Sequence, residues 1–467
     1  MRCFALSEGT DLGKNILIVC PIAVGPAWVK QLELYRTVKL WRHQRAAAAW
    51  AAALRACMLG MDMGTGKSLA AIEATGCGDS EPLLLISKTA TQVRARALTM
   101  AVARPCGTVV ILNYDSVWRG ALAAAVAGVK WDAIILDESH RIKSPGGRAS
   151  RWLAGLAKKQ PVTTRLLCLT GTPIPHSPLD FYGQMRFLCP DLFGPSFARF
   201  RARFAECDFR FPSKVRKWIR QDELAALTDP YIWRVSADDV LDLPDAIHEA
   251  IPVALSRKTA KYCADLENDM TAQIDAGTVT VVNALGQLLR MQQGTGGYAR
   301  ADEQSNACQI DGTPDKAKAL EDRLEDLAHD EPVVVFCRFR ADLEEVAAVG
   351  RRLGRISAEL SGRMNQLAEW QEGHATILAV QAQSGGAGID LTRAAYCFYY
   401  SLGFSLGEYE QTLARLRRPG QTRCIRYYHL IAAGTVDEQV YAALRERRNV
   451  IDAVLGKLTR RETVYDE

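Results

Sequence analysis

The stretch GMDMGTGKS, residues 60–68, carries the residue types that hold the phosphates of a nucleotide. Glycines at 64 and 66 let backbone N–H groups converge on phosphate oxygens, Lys67 brings a positive charge to them, and the hydroxyl of Ser68 suits a phosphate-bound magnesium ion. Gly64, Thr65, Gly66, Lys67 and Ser68 are therefore candidate ATP-binding residues. Met61 stands where the strictest form of the motif has its first glycine, which lowers its specificity. Further on, WDAIILDESH ends an apolar run in two adjacent carboxylates, Asp137 and Glu138. One acid at a strand end can hold Mg2+ through water while the other polarises the attacking water, so Asp137 joins Ser68 as a candidate metal ligand and Glu138 is the candidate base. Taken alone, this stretch also reads as a strand running into a solvated acidic turn.

Such residues work only if a strand and a helix bracket the loop. RACMLGMDM supplies a short apolar run before it and LAAIEA a helical composition after it. An earlier glycine-rich stretch, GTDLGKN at residues 9–15, fails this test. Asn15 follows its lysine where a hydroxyl residue is needed, and ILIVCP comes next, a β-branched run closed by Pro21, so it reads as a turn into a strand. Between Trp41 and Leu188, the runs ACMLGM, PLLLIS, TVVILN, WDAIILDE and RLLCLTGT alternate with helical stretches. PVVVFC, GRISAEL, ATILAVQA, AYCFYYS and CIRYYHLI form a second set after Lys316. Alternation of this kind predicts parallel strands with crossover helices, an α/β fold with ligand loops at the strands' C-terminal ends. The expected domains are 41–188, a polar helical insertion at 189–312 containing a loop-like tract from Gln293 to Asp315, and 313–467; residues 1–40 read as an N-terminal add-on. ILIVCPIAVGPAWVKQLELY, residues 16–35, reads either as a partial duplication of the later strand-and-helix segment LLLISKTATQVRARAL or as an N-terminal add-on with its own strand, and has no evident reason to precede the phosphate loop.

Composition bounds the rest. A chain of 467 residues is too long for one core, and 48% hydrophobic with 24% charged residues describes an ordinary globular protein. A net charge of +5 permits an anionic partner without demanding one. Thirteen cysteines, with no C-x-x-C pair, argue against a disulfide framework and a zinc site and favour a reducing compartment. No apolar run reaches the roughly 18 residues a bilayer span needs, so a cytoplasmic location and no membrane contact are expected.

With LTGTPI downstream of DESHRIKS, the constellation resembles the Swi/Snf family of helicase-like ATPases in helicase superfamily two, over most of residues 41–445. The resemblance implies two RecA-like parallel-sheet lobes with a helical insertion between them, ATP with Mg2+ as cofactors, and double-stranded DNA as partner, together with DNA-bound proteins. LWRHQ resembles the adenine-reading Q motif, which maps the adenine contact onto Gln44 with Trp41 beside it. QSGGAGIDL resembles motif V, adding Gly388 and Asp390 to the nucleotide contacts, with Gly385 and Gly386 as its tight backbone. QTLARLRRPGQ resembles motif VI, whose two arginine fingers map onto Arg415 and Arg418. An arginine stays charged at any working pH, so one presented by a second lobe can stabilise γ-phosphate charge on closure. VVVFCRFR resembles motif IV and TVDEQVYAAL the closing brace helix. The family's DNA track maps near Ser87, Lys88, Thr89, Asn113, Tyr114, Arg338, Gln383 and Ser384.

Residues 197–220, FARFRARFAECDFRFPSKVRKWIR, interleave aromatic and basic side chains. They read equally as a nucleic-acid surface and as an amphipathic hairpin with its aromatics packed inward. In the departures from the family pattern, Pro175 and His176 replace the usual Gln-Asn, and Ser139 stands where Ala is commonest. The expected function is a monomeric, DNA-dependent ATPase that translocates on duplex DNA and remodels DNA or its protein complexes. Its rivals are a strand-separating helicase on RNA or single strands, and an ATP-gated DNA clamp that does not move processively.

Overall fold

The structure, a computed structural model, describes residues 14–22, 24–77, 81–84, 107–171, 177–207, 215–275, 281–299, 308–382 and 389–446. The chain divides into two compact units, residues 1–241 and 242–467. Strands of the first unit are β1 (Ile16–Cys20), β2 (Ala56–Met61), β3 (Glu81–Leu84), β4 (Thr108–Asn113), β5 (Ala133–Asp137) and β6 (Arg165–Leu169); after a small antiparallel hairpin, β7 (Ala205–Cys207) and β8 (Val215–Trp218), comes β9 (Ile232–Val235). Seven of them form one sheet in the order β3-β4-β1-β5-β6-β2-β9, and every pairing is parallel.

Where an add-on was expected, residues 16–20 supply an interior strand. Ile16 pairs with Val109 on one side and Ala133 on the other. All five residues of β1 are fully buried. Leu17 and Val19 join the core on one face of the sheet, and Ile16, Ile18 and Cys20 the core on the other. An uninterrupted apolar run with both faces covered belongs inside a parallel sheet. Helix α1 (Gly25–Tyr35) follows, with a proline in its first turn and Trp28 and Leu32 buried. It packs in one layer with α2 (Arg42–Ala52) and α3 (Lys67–Thr75). Lys14, from the rejected glycine-rich stretch, donates to the Thr75 carbonyl at the end of α3, a cation at a helix C-terminus.

The second unit carries β10 (Ala246–Val253), a short antiparallel pair of β11 (Tyr298–Ala299) with β12 (Cys308–Gln309), then β13 (Val333–Cys337), β14 (Ser357–Leu360), β15 (Ile377–Gln381), β16 (Tyr396–Tyr399) and β17 (Ile425–Ala432). Six of these form a parallel sheet, β10-β17-β16-β13-β15-β14. The two units are thus RecA-like α/β lobes. The expected helical insertion at 189–312 is shared between them, since β9 pairs with β2 in the first sheet and β10 with β17 in the second. Its helices Arg257–Asp275 and Val281–Thr295 belong to the second unit. Within the tract read as loop, Gln293–Thr295 finish a helix and β11 pairs with β12. The brace segment forms the helix Val436–Arg445, held by a buried ion pair from Asp437 to Lys316 at 2.5 Å. No helix among the described residues is long and apolar enough to cross a membrane.

Candidate active site

The strand-to-helix turn expected at Gly64–Lys67 forms between β2 and α3. Gly64 and Gly66 take φ of +83° and +81°, in the left-handed region that glycine enters without strain. A Cβ at Gly66 would lie 2.1 Å from the Gln44 amide nitrogen, so any other residue there would displace the Gln44 side chain as well as strain the backbone. The loop is pinned from several sides. Thr65 Oγ1 donates to the Asp62 carbonyl at 2.7 Å. The Asp62 N–H donates to Val235 O at the end of β9, and Asp62 Oδ2 accepts from the Ala237 N–H, each at 3.0 Å. Gln44 Nε2 donates to the Thr65 carbonyl at 3.0 Å, and His43 Nε2 bonds the same oxygen at 2.8 Å. Gln44 Oε1 accepts from the Trp41 N–H at 3.0 Å, so one end of its amide caps its own helix α2 while the other ties that helix to the loop. The Trp41 ring stays exposed, its centroid 5.6 Å from that of His43. Lys67 and Ser68 open α3, where the unpaired N–H groups and the helix dipole favour an anion.

Asp137 ends β5 and Glu138 follows it in the left-handed region, φ +52°, a conformation that costs a non-glycine residue energy and recurs at functional positions. Lys67 Nζ lies 3.8 Å from Glu138 Oε1, which brings the phosphate loop and the acid pair together. Asp137 Oδ1 accepts from the Glu138 N–H at 3.0 Å, and Oδ2 from the indole N–H of Trp28 at 2.9 Å. Burial, then the Glu138 charge beside it, raises the Asp137 carboxyl to about 6, against the pull of Lys67. His140 stands between Glu138 Oε2 and Thr170 Oγ1, 3.4 Å from each. Burial lowers it to about 4, so it is neutral at pH 7. Ser139, where Ala is commonest in the family pattern, is accommodated because its hydroxyl donates to Gln184 Oε1 at 2.7 Å.

Magnesium fits this set. A buried carboxylate, Asp137, and a partly buried one, Glu138, lie by one lysine, and Glu138 Oε2 makes no hydrogen bond, so the pocket has an anionic excess that a hard cation would neutralise. Mg2+ keeps several waters and needs only one or two protein oxygens beside the phosphates, which the Asp137 carboxylate and Ser68 hydroxyl can supply. No group of three or more His, Cys, Asp or Glu among the described residues forms a dedicated metal cage.

In the second unit Arg415 lies in the last turn of the helix Leu406–Leu416, and Arg418 just beyond it. The Arg415 carbonyl accepts from the Leu391 N–H at 3.2 Å, and Arg418 Nη1 donates to Ile389 O at 3.1 Å, so the motif VI helix is bonded to the end of motif V. Asp390 Oδ1 caps its own turn, accepting from Thr392 N at 3.0 Å and Oγ1 at 2.8 Å. Gly388, Gly385, Gly386, Gln383 and Ser384 lie outside the described residues, as do Ser87, Lys88, Thr89, Pro175 and His176.

Residues 3–295 match the SNF2-related domain family, and residues 315–420 the helicase conserved C-terminal domain. The chain belongs to the SNF2-related domain family. It is 25% identical over 389 residues to protein p41 of Acyrthosiphon pisum secondary endosymbiont phage 1, covering 79% of this chain and 81% of that protein. It is also 25% identical over 430 residues to the mouse (Mus musculus) DNA annealing helicase and endonuclease ZRANB3, but spans only 39% of that protein. The Sulfolobus solfataricus SWI2/SNF2 ATPase core in complex with dsDNA covers 90% of this chain and 94% of its own, at 20% identity and a TM-score of 0.38.

In this SNF2-related chain, two residues expected on the DNA track are committed to the interior. Tyr114 is buried and its hydroxyl donates to the Asp137 carbonyl at 2.8 Å; Asn113 is buried and accepts from the Ser116 N–H at 2.9 Å. Arg338 is half-buried, its guanidinium 4.4 Å from the Phe404 ring. In the basic-aromatic stretch, Phe200 and Phe204 are buried and pack with Phe193 and Phe197, while Arg199 and Arg203 are exposed. Its described part is therefore the amphipathic arrangement, with Phe200 and Phe204 unavailable for stacking on bases. Sequence reasoning missed Trp28, His43 and Asp62. Only His43, next to Gln44, carried a local hint.

Proposed function

We propose that this chain is a DNA-dependent ATPase that translocates on double-stranded DNA, coupling hydrolysis to closure of its two lobes. What supports this is the meeting of Lys67 with Glu138 at 3.8 Å beside the buried Asp137, at the end of one parallel sheet, while a second parallel-sheet unit of the same chain holds Arg415 and Arg418. Lys67 and the α3 N-terminus bind the triphosphate, with Ser68 and Asp137 as the residues that would hold magnesium. Bound magnesium would neutralise charge on the phosphate oxygens. Glu138, freed from Lys67 when phosphate takes the ammonium, takes the proton from the attacking water. His140, neutral, lies beside Glu138 and Thr170 without adding charge to the site. Gln44 reads adenine once nucleotide displaces its own amide contacts, with Gly388 and Asp390 contacting nucleotide from the second lobe. Arg415 and Arg418 reach the γ-phosphate on closure, which restricts fast hydrolysis to the closed state.

DNA as the track draws on the family and on the mouse relative, whose name includes a DNA annealing helicase. The endonuclease in that name is not carried over, because this chain spans 39% of that protein. ATP turnover measured with duplex DNA, single-stranded DNA and RNA tests the proposal. Strongest stimulation by the duplex, together with displacement of a triplex-forming strand, is expected. Stimulation by RNA or single strands alone would replace it with a strand-separating helicase, and duplex stimulation without displacement with a clamp.

A further inference from the structure

The N-terminal element is joined to the chemistry by one hydrogen bond. Trp28 on α1 is 1% exposed and its indole N–H donates to Asp137 Oδ2 at 2.9 Å; Asp137 itself is 4% exposed. The other carboxylate oxygen is held by the Glu138 N–H, and the carbonyl of the same residue by the Tyr114 hydroxyl. A short acid side chain held at both oxygens has both of its torsions fixed. An indole N–H can only donate and carries no charge, so it orients a carboxylate without competing with a metal for its charge. The same helix reaches the phosphate-binding helix as well, for the Tyr35 hydroxyl donates to Glu73 on α3.

We propose that Trp28 is a positioning residue for the metal: through Oδ2 it holds the Asp137 carboxylate in the orientation that receives magnesium bound to nucleotide. It rests on the ATPase reading above. Groups that orient a ligating carboxylate commonly change metal affinity by about 10–100-fold when removed.

Mn2+ replaces Mg2+ in the test, and its binding in the presence of a non-hydrolysable ATP analogue is followed by electron paramagnetic resonance. Trp28→Phe and Trp28→Leu each keep an apolar side chain and remove the donor, and either one that folds suffices. About tenfold weaker Mn2+ binding is expected, with analogue affinity in EDTA unchanged. Leu32→Ala loosens α1 without touching Asp137 and is expected to keep wild-type Mn2+ affinity. Equal Mn2+ binding by the Trp28 variants, or an equal loss in Leu32→Ala, would overturn the inference while leaving the ATPase reading intact. A wild-type protein that binds no Mn2+ with the analogue would overturn both.

Discussion

Glu138 is the residue on which the proposed chemistry turns, and its environment prepares it for that work. It is held at a strained backbone position, paired with Lys67 at 3.8 Å, and flanked by a histidine that burial keeps neutral. Replacing it by glutamine preserves size and removes the basic oxygen. Glu138→Gln is therefore expected to lower kcat by at least about a hundredfold while nucleotide still binds, and normal turnover by the purified variant would remove the assignment of the base. Lys67→Ala is expected to weaken nucleotide binding itself, measured with a fluorescent ATP analogue. A second residue-scale consequence lies in His429, a buried residue of β17 that faces the arginine helix. Its Nε2 accepts from the Tyr409 hydroxyl at 2.9 Å, and burial lowers it to about 3. A histidine whose folded pKa lies below its unfolded value of about 6.5 costs nothing above that pH and destabilises the fold as pH falls below it, by about 2 kcal/mol at pH 5. Urea unfolding at pH 7 and pH 5 is expected to show a shallower loss of stability in His429→Gln than in wild type. An equal pH response in both would refute this.

At the scale of elements, β1 decides between an appendage and a core strand. Both of its faces are buried and it hydrogen-bonds on both edges, to β4 and β5, so removing it would leave two open strand edges and two uncovered core faces. Burial of a large apolar side chain contributes about 1.5–3 kcal/mol, so the loss is comparable with the roughly 5–15 kcal/mol that holds a domain together. A chain lacking residues 1–35 is expected to be insoluble or rapidly proteolysed, and a soluble truncated protein with wild-type ATP binding would show that residues 16–35 are dispensable. Much of this architecture was legible beforehand. Runs such as TVVILN and VVVFC are apolar without alternation, and only strands covered on both faces read that way, so the two parallel sheets followed from composition. The phosphate loop was legible for a similar reason, because glycine, lysine and a hydroxyl residue at fixed spacing have few other uses. What escaped was long-range. ILIVC announced a buried strand but could not say which neighbours it pairs with, since register and order are set by partners far away in sequence. Trp28 reaches Asp137 across 109 residues, and no local pattern marks such a pair. The Tyr114 hydroxyl, mapped near the DNA track by resemblance alone, bonds the Asp137 carbonyl 23 residues away, a partner no local pattern announces.

For the whole molecule, the division of labour between two units is what separates a motor from a nucleotide-binding domain. Lys67, Asp137 and Glu138 belong to the first unit, Arg415 and Arg418 to the second. Within the second unit, Arg418 is held by the Ile389 carbonyl, and the helix behind it is fixed by Thr412, whose Oγ1 bonds the Tyr399 hydroxyl at 2.7 Å. That arrangement holds Arg418 and its helix on a fixed support within the unit, so in the proposed mechanism its approach to a γ-phosphate comes from movement of the unit as a body. Binding of ATP to the first unit alone would then be insensitive to these arginines, whereas the transition state, reached only on closure, would depend on them. Arg418→Ala is accordingly expected to lose about a thousandfold or more in kcat while keeping ATP affinity within a fewfold of wild type. The same variant is expected to bind duplex DNA yet show no rise in turnover on its addition, because in the proposed mechanism DNA promotes a closure that the missing guanidinium can no longer exploit. Steady-state ATPase assays with and without duplex, paired with equilibrium binding of a fluorescent ATP analogue, separate these effects. A large loss of ATP affinity with turnover intact would place Arg418 in ground-state binding and remove the coupling of hydrolysis to closure.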